Sequence, residues 1–292
     1  MSSYELERRP LAAPAKGIQH LELRTRLSRM RALLWTAAGR PRGFFTQYAY
    51  AEHVQPVAEP YPEVEGLFEA SPFRAFLREI QSLEAELKSF GACASDPVLG
   101  RGMFPALDGM AAYAAIRKFR PQTILEIGSG DSTFLLARGV KDNGSGRIIC
   151  IDPQPRREIL ELDIDFRPRL LANEDANIAG ELEANDVLFI DSSHIMLPGM
   201  DVDIQFNRMF PRLKSGVLVH IHDIFLPFDY PAHWKIRHYS EQNALMGWIL
   251  SGYFEIVWPG YYVFSRHHAE AKELLAGIGP LEAAGSLWLR KT

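Results

Sequence analysis

Cysteine is nearly absent from this chain. Cys93 and Cys150 are the only two in 292 residues, too few for a disulfide framework. Cys150 sits in an apolar run, where a small buried thiol is the ordinary arrangement. No apolar run approaches the roughly 20 residues that a membrane span requires, and the opening MSSYELERRP lacks the apolar core of a secretion signal. Neither sign of charge dominates: 32 Lys and Arg against 36 Asp and Glu leave a net charge of −4 and a pI near 6.2. That balance provides no global basic field for nucleic acid, and the acids are scattered rather than gathered into a tail. Internal repeats and low-complexity tracts are missing too. These exclusions lead to an expectation of a globular chain in a reducing, cytoplasmic setting, with no nucleic-acid partner and no stable membrane insertion. The length suits one large α/β domain, or one such domain with a smaller appendage.

What is present changes character along the chain. Residues 1–42 are locally basic, with arginines at positions 8, 9, 24, 26, 29, 31, 40 and 42. Within them Leu23, Leu27, Met30 and Leu34 recur at helical spacing. Such a helix suits packing on a partner subunit or on the main domain; an arm for a membrane surface or nucleic acid is the alternative. Residues 41–65 read as an ordered loop rich in proline and aromatics, Pro72–Phe90 and Pro105–Phe119 as helices. From residue 123 short Val/Ile/Leu-rich segments alternate with helical ones. Strands are expected at Thr123–Ile127, Arg147–Ile151, Arg167–Leu171, Asp186–Ile190, Val217–Ile221, Tyr253–Val257 and Tyr261–Ser265. Helices are expected near 132–140, 155–162, 174–183, 200–212 and 239–251. This succession predicts an α/β fold, a mostly parallel seven-stranded sheet with helices on both faces. The expected division is an N-terminal helical extension over residues 1–100, serving as a lid or for homo-oligomerisation, and a main domain over 101–292. In such sheets ligands bind outside the carboxyl ends of the strands.

The first strand ends in Glu126-Ile-Gly128-Ser129-Gly130-Asp-Ser132-Thr133. Glycines two apart let the chain turn sharply and approach a ligand, and the helix that follows offers free N–H groups. A dinucleotide or an S-adenosylmethionine (SAM) tail would fit such a turn. Thr133 stands where a dinucleotide fingerprint has its last glycine, which weakens a nicotinamide assignment. Glu126 offers negative charge to the SAM ammonium, although a strand-end carboxylate can simply cap the turn. Asp152 closes the second strand, where a carboxylate can accept ribose hydroxyls or cap a helix. On these residues the chain resembles the class I SAM-dependent methyltransferases over about residues 100–265. The resemblance implies a Rossmann-like domain with SAM as cofactor and a site formed by Glu126, Gly128, Ser129, Gly130 and Asp152, with Asp175 of Asn173-Glu-Asp175 beside the adenine. Ser132 replaces the family's common third glycine.

The fourth strand leads into Asp191-Ser-Ser-His194 and the fifth into His220-Ile-His222-Asp223. Two carboxylates brought together need a proton, a cation or a metal, and oxygen ligands favour Mg²⁺, Mn²⁺ or Ca²⁺ over zinc. The pattern resembles metal-dependent O-methyltransferases acting on sugars and secondary metabolites. That resemblance implies Asp191 and Asp223 as ligands of Mg²⁺ or Mn²⁺, and His194 as the base for the acceptor hydroxyl. Catechol-type enzymes carry Asp-Asn here, whereas Ile224 follows Asp223; His222 and Asp223 could also hydrogen-bond substrate with no metal. His220 and His222 are expected to face opposite ways, with one in the core. The aromatic insertion Ile224–Ser240 is expected to lie over the site, as is the Phe44–Tyr50 loop, with Trp234, Arg237, His238 and Tyr239 as substrate contacts or lid packing. The expected activity is O-methylation of a small hydroxylated acceptor. SAM cyclisation or cleavage, or nicotinamide redox chemistry, are the alternatives.

Overall fold

The alternating segments from residue 123 onward build one seven-stranded sheet. A computed structural model of the chain describes residues 23–44, 48–91 and 96–292; Cys93 and the first arginines lie outside them. The chain forms two compact units, Met1–Val57 with Pro231–Ile236, and Ala58–Tyr230 with Arg237–Thr292. The smaller unit contains helix α1 (Leu23–Ala37).

The larger unit opens with α2 (Pro62–Ala70), α3 (Phe73–Ser82) and α4 (Glu84–Lys88). Their buried Val64, Phe68, Phe73, Phe76, Leu77, Ile80 and Leu87 join the main core. Next comes α5 (Ala106–Phe119), buried along most of its length. It stops at Arg120, which takes φ 50; the following Pro121 disfavours a right-handed helical residue there. Then follow β1 (Thr123–Ile127), α6 (Asp131–Asn143), β2 (Arg147–Ile151), β3 (Asp165–Arg167), α7 (Ala176–Glu181) and β4 (Val187–Ile190). After these come α8 (Asp201–Ile204), β5 (Leu218–Ile221), α9 (Glu241–Leu250), β6 (Phe254–Pro259), α10 (Gly260–Arg266), α11 (His268–Leu275) and β7 (Leu287–Lys291). The strand order is β3-β2-β1-β4-β5-β7-β6, with β7 antiparallel to both β5 and β6 and the other pairs parallel. The order reverses at β1, between β2 and β4, so the carboxyl ends of β1 and β4 frame the crevice where ligands bind in such sheets.

Seven strands were expected and seven form, but they are not all the expected ones. Tyr261–Ser265 lies within α10, where Tyr262 and Val263 bury their side chains; burial has overridden the β-propensity of Tyr-Tyr-Val-Phe. The seventh strand is β7 instead. The expected strand 167–171 is displaced to Asp165–Arg167. The helix expected at 155–162 does not form, since Ile159 is buried while Leu160 is 72% exposed, leaving no apolar stripe to pack.

Asp186 ties the start of β1 to the start of β4. Its Oδ1 accepts the backbone N–H groups of Gln122 at 2.9 Å and Thr123 at 2.8 Å, and its Oδ2 accepts that of Glu183 at 2.9 Å. Removing it leaves three donors to find new partners, so Asp186→Ala should lower stability by about 3 kcal/mol. A urea midpoint equal to that of the unmodified protein would show that water replaces these bonds.

Candidate functional site

Gly128 directly follows β1 with φ +83, and a Cβ there would lie 1.9 Å from the carbonyl oxygen of Asp191. The close approach is fixed on both sides: Asp191 N–H donates to Ile127 O at 2.9 Å, and Gly128 N–H donates to Ile151 O at 3.0 Å. Gly130 differs. Its φ is 170, and a Cβ would meet nothing within 4 Å. One glycine is thus a requirement of the fold, while the other leaves open space at the start of α6.

Glu126 is fully buried. Its Oε1 accepts the hydroxyls of Ser132 at 2.9 Å and Thr133 at 3.1 Å, and Thr133 Oγ1 in turn accepts the N–H of Gly130 at 3.1 Å. The residues that depart from the glycine fingerprint are therefore the hydroxyls that hold the acid. Glu126 Oε2 is buried with no partner, and burial pushes the carboxyl up to about 8. Burial also raises the Cys150 thiol beside it. Asp152 Oδ2 accepts from Ser129 N–H at 2.7 Å and Ser129 Oγ at 2.8 Å, and its Oδ1 accepts from Gln154 N–H at 2.7 Å. It clasps the glycine turn. Asp175 is turned into its own loop: Arg169 grips both oxygens at 2.6 and 2.7 Å, and Ala172 N–H adds a bond of 2.8 Å.

The acid–histidine residues do come together. His194 Nε2 stands 3.4 Å from Asp191 Oδ1 and 3.5 Å from Asp223 Oδ2, while His222 Nδ1 stands 3.6 Å from Asp191 Oδ1 and 3.5 Å from Asp223 Oδ1. Two buried carboxylates missing from the sequence reading stand behind the imidazoles. Glu241 Oε2 is 2.8 Å from His194 Nδ1, and Asp108 Oδ2 is 3.2 Å from His222 Nε2. Asp108 also accepts the N–H groups of Gly285 and Ser286 at 2.8 and 3.1 Å. Burial works against charge on both imidazoles, but Asp191 and Glu241 around His194, and Asp191 and Asp108 around His222, hold both well above the usual histidine range. Burial likewise opposes ionisation of Asp191, yet the two imidazoles keep it well below the usual carboxylate range. Among the described residues no group of three or more His, Cys, Asp and Glu side chains is arranged to hold a metal ion.

Residues two apart on a strand share a face, so the opposite orientation expected for His220 and His222 does not hold: their rings are 6.2 Å apart and nearly parallel. They differ in depth. His220 is stacked on Phe189 with centroids 3.7 Å apart and joined to Ser286 Oγ at 2.9 Å, and burial holds its pKa well below the usual range. It belongs to the core. Beyond the end of β5, His222 reaches the acids. Of the insertion, Tyr239 places its ring 4.6 Å from that of His194, and Ser240 N–H donates to His194 O at 2.9 Å; residues 231–236, with Trp234, belong to the smaller unit. His194 and Asp223 both hold left-handed backbone, φ 61 and 56, a conformation that non-glycine residues adopt at local cost and that gathers at functional sites.

The two glycines separate by experiment. Gly128→Ala should lower stability by more than about 3 kcal/mol through clash and strain. With SAM seated on this turn as the sequence leads one to expect, Gly130→Ala should unfold like the unmodified protein but bind SAM about tenfold more weakly or worse, a loss of about 1.4 kcal/mol. Unchanged SAM affinity in Gly130→Ala would place the cofactor elsewhere.

Residues 125–224 match a family model described as a methyltransferase domain. No curated protein matches the sequence significantly. Among solved structures, an O-methyltransferase from Bacillus cereus in complex with S-adenosylhomocysteine is 15% identical, with 75% of this chain and 90% of that one covered and a TM-score of 0.43. An O-methyltransferase from Streptomyces achromogenes involved in tomaymycin synthesis, in complex with SAM, is 16% identical over 74% and 89% of the two chains, TM-score 0.33. A methyltransferase from Geobacter sulfurreducens is 18% identical over 52% and 72%, TM-score 0.30. Similarity this distant carries nothing about substrate. The segment matching the methyltransferase-domain model runs from within β1 to the residue after Asp223 and so takes in the glycine turn, Asp152 and the acid–histidine cluster, the same residues that carry the resemblance to class I SAM-dependent methyltransferases.

Proposed function

We propose that the protein transfers the SAM methyl group to a hydroxyl of a small acceptor, a sugar or other polyol. The observation that carries this reading is the contact of Gly128 with the Asp191 carbonyl, which sets the glycine turn directly against the acid–histidine cluster. A cofactor seated on that turn and an acceptor held by the cluster would be neighbours. SAM supplies an electrophilic methyl on its sulfonium. The chain has to align a hydroxyl with that methyl and accept one proton. His194 Nε2 is the acceptor nitrogen in this reading; because the acids around it hold the imidazole protonated well above its usual range, the ring must first give up that proton, and Glu241 behind Nδ1 positions it. The acceptor oxygen would take the methyl as the S–CH₃ bond breaks, and the hydroxyl proton would pass to the deprotonated form of His194. Gly128, Ser129 and Gly130 would border the cofactor, with Asp152 at the ribose. Asp175, engaged by Arg169, would contribute beside the adenine through the loop it stiffens.

The expected Mg²⁺ or Mn²⁺ belongs to the same proposal. The oxygens of Asp191 and Asp223 suit a hard cation, although both carboxylates face imidazoles, so an ion would enter by displacing imidazole protons. There it would lower the pKa of a bound hydroxyl.

Two tests follow. Glu126 is the buried acid assigned to the SAM ammonium. Because its carboxyl is raised to about 8, the folded protein without SAM carries a proton there that the unfolded chain loses near pH 4.5. Glu126 therefore makes the protein lose stability as pH rises from about 4.5 to 8. Binding a cation beside it should expel that proton, so SAM affinity should rise with pH up to about 8. Calorimetry at pH 7 in buffers of different ionisation enthalpy should register close to one proton released; no buffer dependence would remove Glu126 from the ammonium site. For the chemistry, single-turnover transfer to a panel of sugars and polyols is the measurement. His194→Ala should lose about 10²–10⁴ in rate with SAM affinity nearly unchanged. EDTA should abolish transfer, and Mg²⁺ or Mn²⁺ should restore it. A loss under about tenfold would pass the base role to another residue, and full activity in EDTA would leave the carboxylates as hydrogen-bond acceptors.

A further inference from the structure

The acidic chain conceals a strongly basic segment. Met1–Val57 with Pro231–Ile236 carries ten Lys and Arg against four Glu, while the rest carries 22 against 32. The net charge of −4 is therefore a unit of +6 joined to one of −10. From Leu23 to Ala51 there are six arginines and no acid.

In the same stretch α1 exposes its apolar side chains. Leu23 is 72% exposed, Leu27 53%, Met30 56% and Leu34 66%. At about 100° per residue these four fall within an arc of about 60° on the helix. Arg24 and Arg31 project to one side of the stripe and Arg26 to the other. Trp35, with Arg40 stacked 5.6 Å from its ring, and the exposed Phe44, Tyr48 and Tyr50 add aromatic surface. Arg29 donates to the carbonyl of Ile236 within the same unit, so that arginine serves structure.

Each possible occupant requires something different of this stripe. A polyanion such as RNA would engage the arginines and gain nothing from four exposed aliphatic side chains. A second copy meeting the stripe about a two-fold axis would bring arginines against arginines. An anionic bilayer satisfies both features: the aliphatic row enters the headgroup and acyl boundary, the flanking arginines reach up to lipid phosphates, and Trp and Tyr suit the interface. We propose that α1 is an interfacial anchor that lays the Leu23–Leu27–Met30–Leu34 stripe into an anionic lipid surface.

The test uses the full chain and vesicle flotation. Vesicles of equal parts phosphatidylcholine and phosphatidylglycerol should carry the protein upward, and pure phosphatidylcholine vesicles should not. Leu27→Ser/Met30→Ser/Leu34→Ser should weaken binding at least about tenfold. Arg24→Gln/Arg26→Gln/Arg31→Gln should weaken it by about fivefold per arginine. All these positions are exposed, so circular dichroism, melting temperature and SAM affinity should stay as in the unmodified protein. Indifference to anionic vesicles would overturn the proposal. So would a dimer in sedimentation velocity that the serine variant disperses while vesicle binding stays absent, which assigns the stripe to a second copy. Retention of transfer RNA without vesicle binding, unaffected by the serine substitutions, would overturn it in favour of a nucleic-acid arm.

Discussion

The molecule turns on one close approach, the glycine at 128 against the carbonyl of residue 191. A side chain cannot be accommodated there, and the backbone takes a sign of φ that other residues avoid. Through this contact the ends of β1 and β4 meet at the point where the strand order reverses. The turn after β1 is then held by Asp152 through Ser129, and by Glu126 through Ser132 and Thr133. The loop after β4 delivers Asp191 and His194 to the same crevice, with Asp223 arriving from β5. The geometry of the whole site descends from a position where a methyl group does not fit.

The electrostatics of that crevice are arranged in layers. Outermost, Asp191 and Asp223 face the imidazoles of His194 and His222. Behind the imidazoles, Glu241 and Asp108 fix the rings from α9 and α5. His220, two residues before His222 in the chain, is a core residue stacked on Phe189 and joined to Ser286. A ring clamped by a buried carboxylate can neither flip nor drift, which is the preorganisation that alignment-driven chemistry needs.

Much of this was legible in the sequence, for identifiable reasons. Val187–Ile190 and Ile124–Ile127 are buried on both faces, so their composition announced strands. Gly128 and the acids at strand ends were legible as positions lining the carboxyl edge of the sheet, where ligands bind in such folds. Glu241 and Asp108 were not legible: each sits in a helix, far along the chain from the histidine it holds, and neither lies in a motif. Only the packing of α9 and α5 against the sheet brings them in. The seventh strand was misplaced because Tyr-Tyr-Val-Phe carries more β-propensity than Leu-Trp-Leu-Arg-Lys, and burial decided otherwise. His220 and His222 were misassigned by an error of period, since the side-chain repeat of a strand is two residues.

The position of β7 bears on how the molecule is made. It lies between β5 and β6 and pairs with both, yet it follows each of the other six strands in the chain. During synthesis β6 leaves the ribosome with no neighbour in the sheet, and Asp108 waits for the N–H groups of Gly285 and Ser286 that it will bind. Strands β1 to β5 can assemble as they emerge, whereas α9, β6, α10 and α11 have no strand to join them to that sheet until residues 287–291 arrive. Vectorial synthesis thus leaves a five-stranded sheet with β5 as an open edge, a surface suited to chaperone capture or mispairing. The same late strand brings Ser286 to His220, so the nascent chain completes its core and closes its sheet in one step.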